Sequence, residues 1–261
     1  MNYKVNQLIF LFLSGLVLLF ITAPVFSLLF GPSIQEYLKI SVDSQALISI
    51  RTTLLMSFAA TLTLAIPGIP LAWLLARKRF AFKGLVQGLI DLPVVIPHTA
   101  AGIALLTVIS PSTGFGKLLE SAGLSFIGSH TGIAMAMAFV SVPFLINSAR
   151  QGFEMVPERL EKISLSLGVT ASKTFFKISL PLAWRSIIGG MIMMFARGMS
   201  EFGAVVIIAY YPMTTPTLIF ERFGAFGLKE AKPVAAAFVL ISLMVFVVLR
   251  WLATKKEYAG N

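Results

Sequence analysis

The sequence contains no cysteine, which excludes disulfide staples and thiolate metal centres outright. Charge is scarce too: 12% of the 261 residues are Asp, Glu, Lys or Arg, against about 25% in soluble domains. A chain with half the usual charge cannot coat a water-facing surface of its own size, so a large soluble all-α protein is set aside. No Gly-x-x-x-x-Gly-Lys-[Ser/Thr] phosphate loop occurs, nor His-Glu-x-x-His, nor Gly-x-Ser-x-Gly. With none of these motifs, nothing marks the isolated chain as an ATPase or other enzyme: no catalytic residue and no metal site is expected. An internal repeat, the usual pointer to an inverted-repeat secondary transporter, is also missing.

What the chain has is hydrophobicity, with 57% apolar residues and a mean hydropathy of +0.89. A helix needs ~20 largely apolar residues to cross ~30 Å of hydrocarbon. Six stretches meet that length, at about 8–30, 47–76, 85–109, 133–149, 185–210 and 234–253, the fourth being the shortest. The expectation is an all-α, polytopic integral membrane bundle of about six helices, forming one transmembrane unit over 1–261. The first stretch is too long for a secretory h-region and reads as a retained helix. Pro67 and Pro70 interrupt the second stretch, Pro93 and Pro97 the third. Carbonyls freed by buried proline need neighbouring helices, so these two helices are expected to face protein or a polar path.

The formal net charge of +10 is unevenly placed. Basic residues crowd the N-terminus, the 77–83 and 150–184 connections and the C-terminus as far as Lys256. The alternate connections hold only Lys39, Lys117, Arg222, Lys229 and Lys232, with Arg51 at their edge. The positive-inside rule then puts both termini in the cytoplasm.

The inner segment 150–183 is too long for a simple turn and is patterned for helix. Leu160, Ile163, Ser164 and Leu167 fall at i, i+3, i+4 and i+7, one stripe of a short helix. Pro157 suits its first turn and Gly168 the position just past its end. Glu158, Arg159, Glu161 and Lys162 crowd its start and flanks. A second short stretch, 174–180, precedes Pro181, which is expected to open the fifth span. The stripe could lie among lipid headgroups, although its polar face has few basic residues. It could equally dock into a groove on a cytoplasmic partner.

Glu161…Gly168…Ile178-x-Leu180-Pro181 resembles the cytoplasmic EAA signature of permease subunits in binding-protein-dependent ABC importers. The Gly, Ile, Leu and Pro keep that family's spacing. Ile163 and Ser164 stand where it has two alanines, and the Glu comes one residue early. The run from Leu75-Ala-Arg-Lys-Arg-Phe80 to Asp91-Leu-Pro-Val-Val-Ile-Pro-His98-Thr-Ala-Ala-Gly102 looks like the molybdate/tungstate branch. So does Ala196-Arg-Gly-Met-Ser-Glu201-Phe-Gly, with variants shared by sulfate permeases. The likeness covers nearly all the chain from the second helix on.

The resemblance implies a type I importer permease whose coupling helix seats in a cleft of a separate ATPase. Glu158, Leu160, Glu161, Ile163, Ser164, Leu167, Gly168, Val169, Ile178, Leu180 and Pro181 would form that interface. It also implies a homodimer in the cytoplasmic membrane of a prokaryote, two ATPase subunits binding ATP and Mg, and an extracytoplasmic molybdate/tungstate-binding protein. Alternatives are a sulfate or thiosulfate ABC permease and, from another class, an ion-gradient-driven anion transporter or channel.

A charge at the bilayer centre costs roughly 2.5–3.5 kcal/mol on insertion scales. Arg51, Asp91, His98, Arg197 and Glu201 lie in or near spans, and with Thr99 and Ser200 they are the candidates for a translocation path. Asp91 and His98, seven apart, nominally share a face, although Pro93 and Pro97 disturb it. Arg197 and Glu201, at i and i+4, can pair and clamp the fifth helix, or Arg197 or Arg51 can bias a path toward anions. His98 reads as a packing histidine and Arg51 as a snorkelling end. Thr214 and Thr215 add hydroxyls without charge, suited to weak cargo contacts.

Overall fold

The computed structural model describes residues 3–255; the ends of the chain, with Lys256 of the basic C-terminal run, lie outside the described residues. Helices and connections make up all of it, with no strand among the described residues. The helices are α1 (Tyr3–Phe30), α2 (Ile34–Val42), α3 (Ser44–Arg77), α4 (Lys83–Val95), α5 (His98–Ile109), α6 (Gly114–Ser121) and α7 (His130–Met155). Then follow α8 (Glu158–Ser166), α9 (Ala171–Thr174), α10 (Leu180–Met199), α11 (Gly203–Ile208), α12 (Thr215–Phe226) and α13 (Leu228–Lys255). Five are long and apolar enough to span a membrane, and the bent pair α4–α5 brings the number to as many as six.

Local chemistry explains several boundaries. Ser33 and Glu36 form a reciprocal capping box at the start of α2. Asp43 accepts from the Gln45 and Ala46 N–H groups to cap α3, and Ser129 does the same for α7 through Gly132. Pro97 removes a donor and pushes Ile96 to extended backbone (φ −75°, ψ 147°), which breaks the helix there.

Helix α7 is the centre of the bundle, packed between α3 and α10. Ile133, Met137, Leu145 and Phe153 on it are wholly buried. It runs 26 residues, well beyond the short 133–149 stretch seen in the sequence. Ala136, Ala138, Ser141, Ala149 and Gly152 on its buried faces let neighbouring backbones approach closely. A helix covered by protein needs no long lipid-facing run, which is why its unbroken apolar stretch is shorter than the helix itself. Helix α1 is the opposite case. No residue of its most apolar window is buried, and it packs on α13.

Two spans differ from expectation. The 85–109 stretch is not one straight helix: α4 and α5 meet at 115° across Ile96 and Pro97. The 185–210 stretch starts earlier and stops sooner, as a span from Ala171 to Met199. Pro181 does not open it. A π-helical turn, Phe175–Ser179, carries the chain through, with the Leu180 N–H donating to the Phe175 carbonyl. Proline clashes with the carbonyl four residues back, and the wider turn just upstream accommodates that. Beyond Met199 the backbone breaks at Ser200–Phe202 and resumes as the half-helix α11.

Candidate functional site

Two places gather the polar side chains that the bundle cannot leave to lipid. The first is the hairpin of α8, α9 and the π-turn. Helix α8 has Pro157 at its N-cap and ends in a Schellman motif, in which the Gly168 N–H donates to the Leu165 carbonyl (3.0 Å) and the Val169 N–H to the Ser164 carbonyl (3.1 Å). Gly168 makes this possible at φ +80°.

Electrostatics decides which way α8 faces. Arg77, in the last turn of α3, has a buried side chain and needs a counterion. Its Nε donates to Glu161 Oε1 (2.9 Å) and its Nη2 to the Val156 carbonyl (2.8 Å). Ser179 Oγ of the π-turn donates to the same Glu161 oxygen (2.7 Å), and the Ser164 and Thr174 hydroxyls meet at 2.9 Å. Glu161 and Ser164 therefore point inward, and the expected stripe is split. Ser164 leaves it for the interior, while Leu160, Ile163 and Leu167 stand exposed. An unpaired Arg77 would be more costly than an exposed leucine, which is why the polar face takes the inside.

Other residues of the loop sort themselves the same way. Ile178 is half-buried, and Leu180 packs with Phe175 onto the inner core around Leu75 and Phe153. Pro181 is exposed, and Val169 half-exposed. Glu158 is exposed and paired with Lys162 (3.1 Å), whose hydrogen bond holds its carboxyl below the ordinary value. Leu165 and Phe176 add exposed apolar surface that the stripe did not include. Arg77 was visible only as one more inner positive charge; no sequence signal separates a counterion seeker from an orientation charge.

The second place is the junction of the two helix breaks. Gly203 lets α11 approach α5 so closely that a Cβ there would lie 2.7 Å from His98 Cβ. Glu201, wholly buried, bridges the breaks. Its Oε1 accepts from the Ala204 N–H (2.9 Å), and its Oε2 lies 3.0 Å from both Arg197 Nη2 and His98 Nδ1. Arg197 Nη2 also lies 2.8 Å from His98 Nε2. Neither approach to Glu201 Oε2 has hydrogen-bond geometry, so this oxygen is held by charge and proximity alone. The expected Arg197–Glu201 pair thus forms, but across the end of α10 and with His98 as third member.

Ser200 joins the junction through Arg197 Nη1 (3.3 Å) and is exposed, as is Thr99. Asp91 does not join it. The bend after Val95 turns it away from His98, and it accepts from Asn147 Nδ2 (2.6 Å) on α7. Arg51 stands apart, exposed on α3. Thr214 and Thr215 are wholly buried: Thr214 meets Thr217 (3.0 Å), and the Thr215 N–H donates to Thr53 Oγ1 (2.8 Å), fixing α12 to α3.

A buried central helix, a broken pair of spans closed by one ion triad, and an inner hairpin bolted to two spans make a polytopic helical membrane bundle. The family described as "Binding-protein-dependent transport system inner membrane component" matches residues 68–255, and the chain belongs to that family. It is similar to the molybdate/tungstate transport system permease protein WtpB of Pyrococcus abyssi (strain GE5 / Orsay), with 47% identity over 190 residues, 73% of this chain and 71% of that one. A probable sulfate transport system permease protein of Chlorokybus atmophyticus is more distant, at 33% over 182 residues, 68% of this chain and 64% of that one. Among solved structures, a bacterial alginate ABC transporter in complex with its alginate pentasaccharide-bound periplasmic protein superposes with a TM-score of 0.74. That match covers 99% of this chain and 97% of the other at 18% identity, so it speaks to fold alone.

Proposed function

We propose that this chain is the membrane-spanning subunit of an ATP-driven importer that moves molybdate and/or tungstate into the cytoplasm. One observation carries the coupling part: α8 is rigidly capped and fixed on its polar side, yet Leu160, Ile163, Leu165 and Leu167 are left uncovered. An apolar face beside anchored charges suits a protein groove better than lipid headgroups. A separate ATPase subunit, holding ATP and Mg, is the occupant, and Glu158, Gly168 and Val169 border the contact. Ile178, Leu180 and Pro181 support it from behind.

The substrate part rests on the molybdate/tungstate relative, whose identity exceeds that of the sulfate relative over a similar length. The path part rests on the junction. At the junction Thr99 and Ser200 are exposed, and Arg197 and His98 are partly so. Such polar exposure is costly against lipid and belongs against water or a second copy. The whole chain acts as one transmembrane unit and pairs with a copy of itself in the plasma membrane of a prokaryote, both termini inside, a reading supported by the basic residues of the alternate connections. Cargo arrives from an extracytoplasmic binding protein. ATP binding changes the spacing of the two ATPase subunits, α8 follows, and the bundle alternates its access. Each ligand shifts that balance only by its differential affinity for the two states.

Competition distinguishes the cargoes. Uptake of labelled molybdate by cells expressing the full transporter should be suppressed by unlabelled tungstate and spared by a hundredfold excess of sulfate. Suppression by sulfate alone would reassign the chain to sulfate transport.

A further inference from the structure

The inner hairpin holds a contact that docking alone does not require. Arg77 closes α3, Glu161 lies in α8, and Ser179 ends the π-turn at the root of α10, yet all three meet at one carboxylate oxygen. Arg77 also ties down the Val156 carbonyl, at the point where α7 turns into α8. Both side chains of the ion pair are close to nine-tenths buried or beyond, so neither is available to a partner. We infer that Glu161 is a positioning residue: with Arg77 and Ser179 it forms a latch that makes α8, α3 and α10 move as one body, and it does not itself touch the ATPase.

A short helix pushed at its exposed face can tilt on its own loops or can carry the spans with it. Pro157 and Gly168 flank α8 with non-helical backbone, so those connections alone leave it free to tilt. A charge-assisted bond from the end of α3 to Glu161 of α8, with the second arm of Arg77 on Val156 just before α8, removes that freedom. The Ser179 hydroxyl extends the link to α10, whose far end carries Arg197 of the junction triad. The latch thus offers one rigid path from the inner surface to the helix breaks.

This inference rests on the docking of α8, and the test separates the two. The assembled permease, ATPase and binding protein are reconstituted in vesicles, and ATP hydrolysed per molybdate imported is measured beside retention of the ATPase on purification. Glu161→Gln should keep the ATPase bound and hydrolysing but raise ATP spent per molybdate at least fivefold, with Glu161→Asp restoring at least half of the loss. Arg77→Lys, which keeps the charge and loses the second arm, should behave like Glu161→Gln. Ser179→Ala should give a smaller rise and carries the test if the charge variants do not accumulate. Ile163→Asp, on the exposed face, should detach the ATPase. A Glu161→Gln ratio within twofold of wild type, with Ile163→Asp detached, overturns the latch alone. Detachment of the ATPase by Glu161→Gln overturns it as well, by making Glu161 a docking contact. An ATPase that stays bound to Ile163→Asp overturns the docking reading and the relay built on it.

Discussion

Gly168 offers a perturbation whose magnitude can be worked from geometry. Its φ of +80° lies in the left-handed region, and nothing stands within 4 Å of where a Cβ would be. A substitution therefore meets no clash and gains no contact; its cost is conformational alone. For a residue with a Cβ that cost is roughly 1–2 kcal/mol, less for Asn and Asp, which visit this region more readily. The Schellman bonds of Gly168 and Val169 exist only in this conformation, so the capped end of α8 loses about 5–30-fold in population against frayed forms. If the ATPase binds the capped form, its affinity should fall by the same factor. Titration of the permease in nanodiscs with labelled ATPase subunit should give the order Gly, then Asn and Asp, then Ala, with Val weakest. Gly168→Ala binding within twofold of wild type, or Asn binding more weakly than Ala, would refute the reasoning.

At the junction, Glu201→Ala leaves Arg197 without its carboxylate and should destabilise the detergent-solubilised protein by about 3 kcal/mol, near the lower end for a broken buried pair because Arg197 and His98 reach the surface. The Arg197→Ala/Glu201→Ala double variant should recover part of that in thermal melts, and additivity of the two losses would deny the pairing. Gly203→Val must displace His98, a strain of about 1–3 kcal/mol, and should abolish molybdate uptake while the ATPase still co-purifies. At the other end of α3, burial pushes the Asp43 carboxyl up, but the Arg222 guanidinium (2.5 Å) and the Ala46 and Gln45 N–H groups outweigh it and hold it below its ordinary value. A carboxyl depressed in the folded state stabilises above its unfolded pKa of about 3.9, and that share is lost as pH falls through the folded value. Protection from hydrogen exchange at the start of α3, taken relative to the intrinsic rate at each pH, should stay constant from neutral pH down to about 4 and fall below it, and Asp43→Asn should remove the fall.

How much of this was legible in the chain depends on what each feature is made of. Length and hydropathy reveal the spans that face lipid, so α1 and α13 are plain. They underreport α7, whose small residues pack against protein instead. Capping chemistry is local, which is why Pro157 and Gly168 bracket α8 as the sequence suggests. Breaks inside apolar runs are another matter. Pro97 signals the first, but its 115° bend, which separates Asp91 from His98, depends on how α5 packs against α11. The second break, after Met199, carries no proline at all; there Glu201 turns out of α10 to cap α11. The orientation of α8 is the sharpest difference. An amphipathic pattern defines two sides without saying which is buried, and Arg77, 84 residues from Glu161, settles it.

On the proposed function, transport through this bundle requires a motor seated on the exposed side of α8. Vesicles holding the purified permease should be assayed for uptake of labelled molybdate and tungstate, with the ATPase subunit, ATP and the loaded binding protein each omitted in turn. Uptake is expected only when all are present, and omitting any one should return it to background. Undiminished oxyanion entry in vesicles lacking the ATPase would contradict the account at its centre.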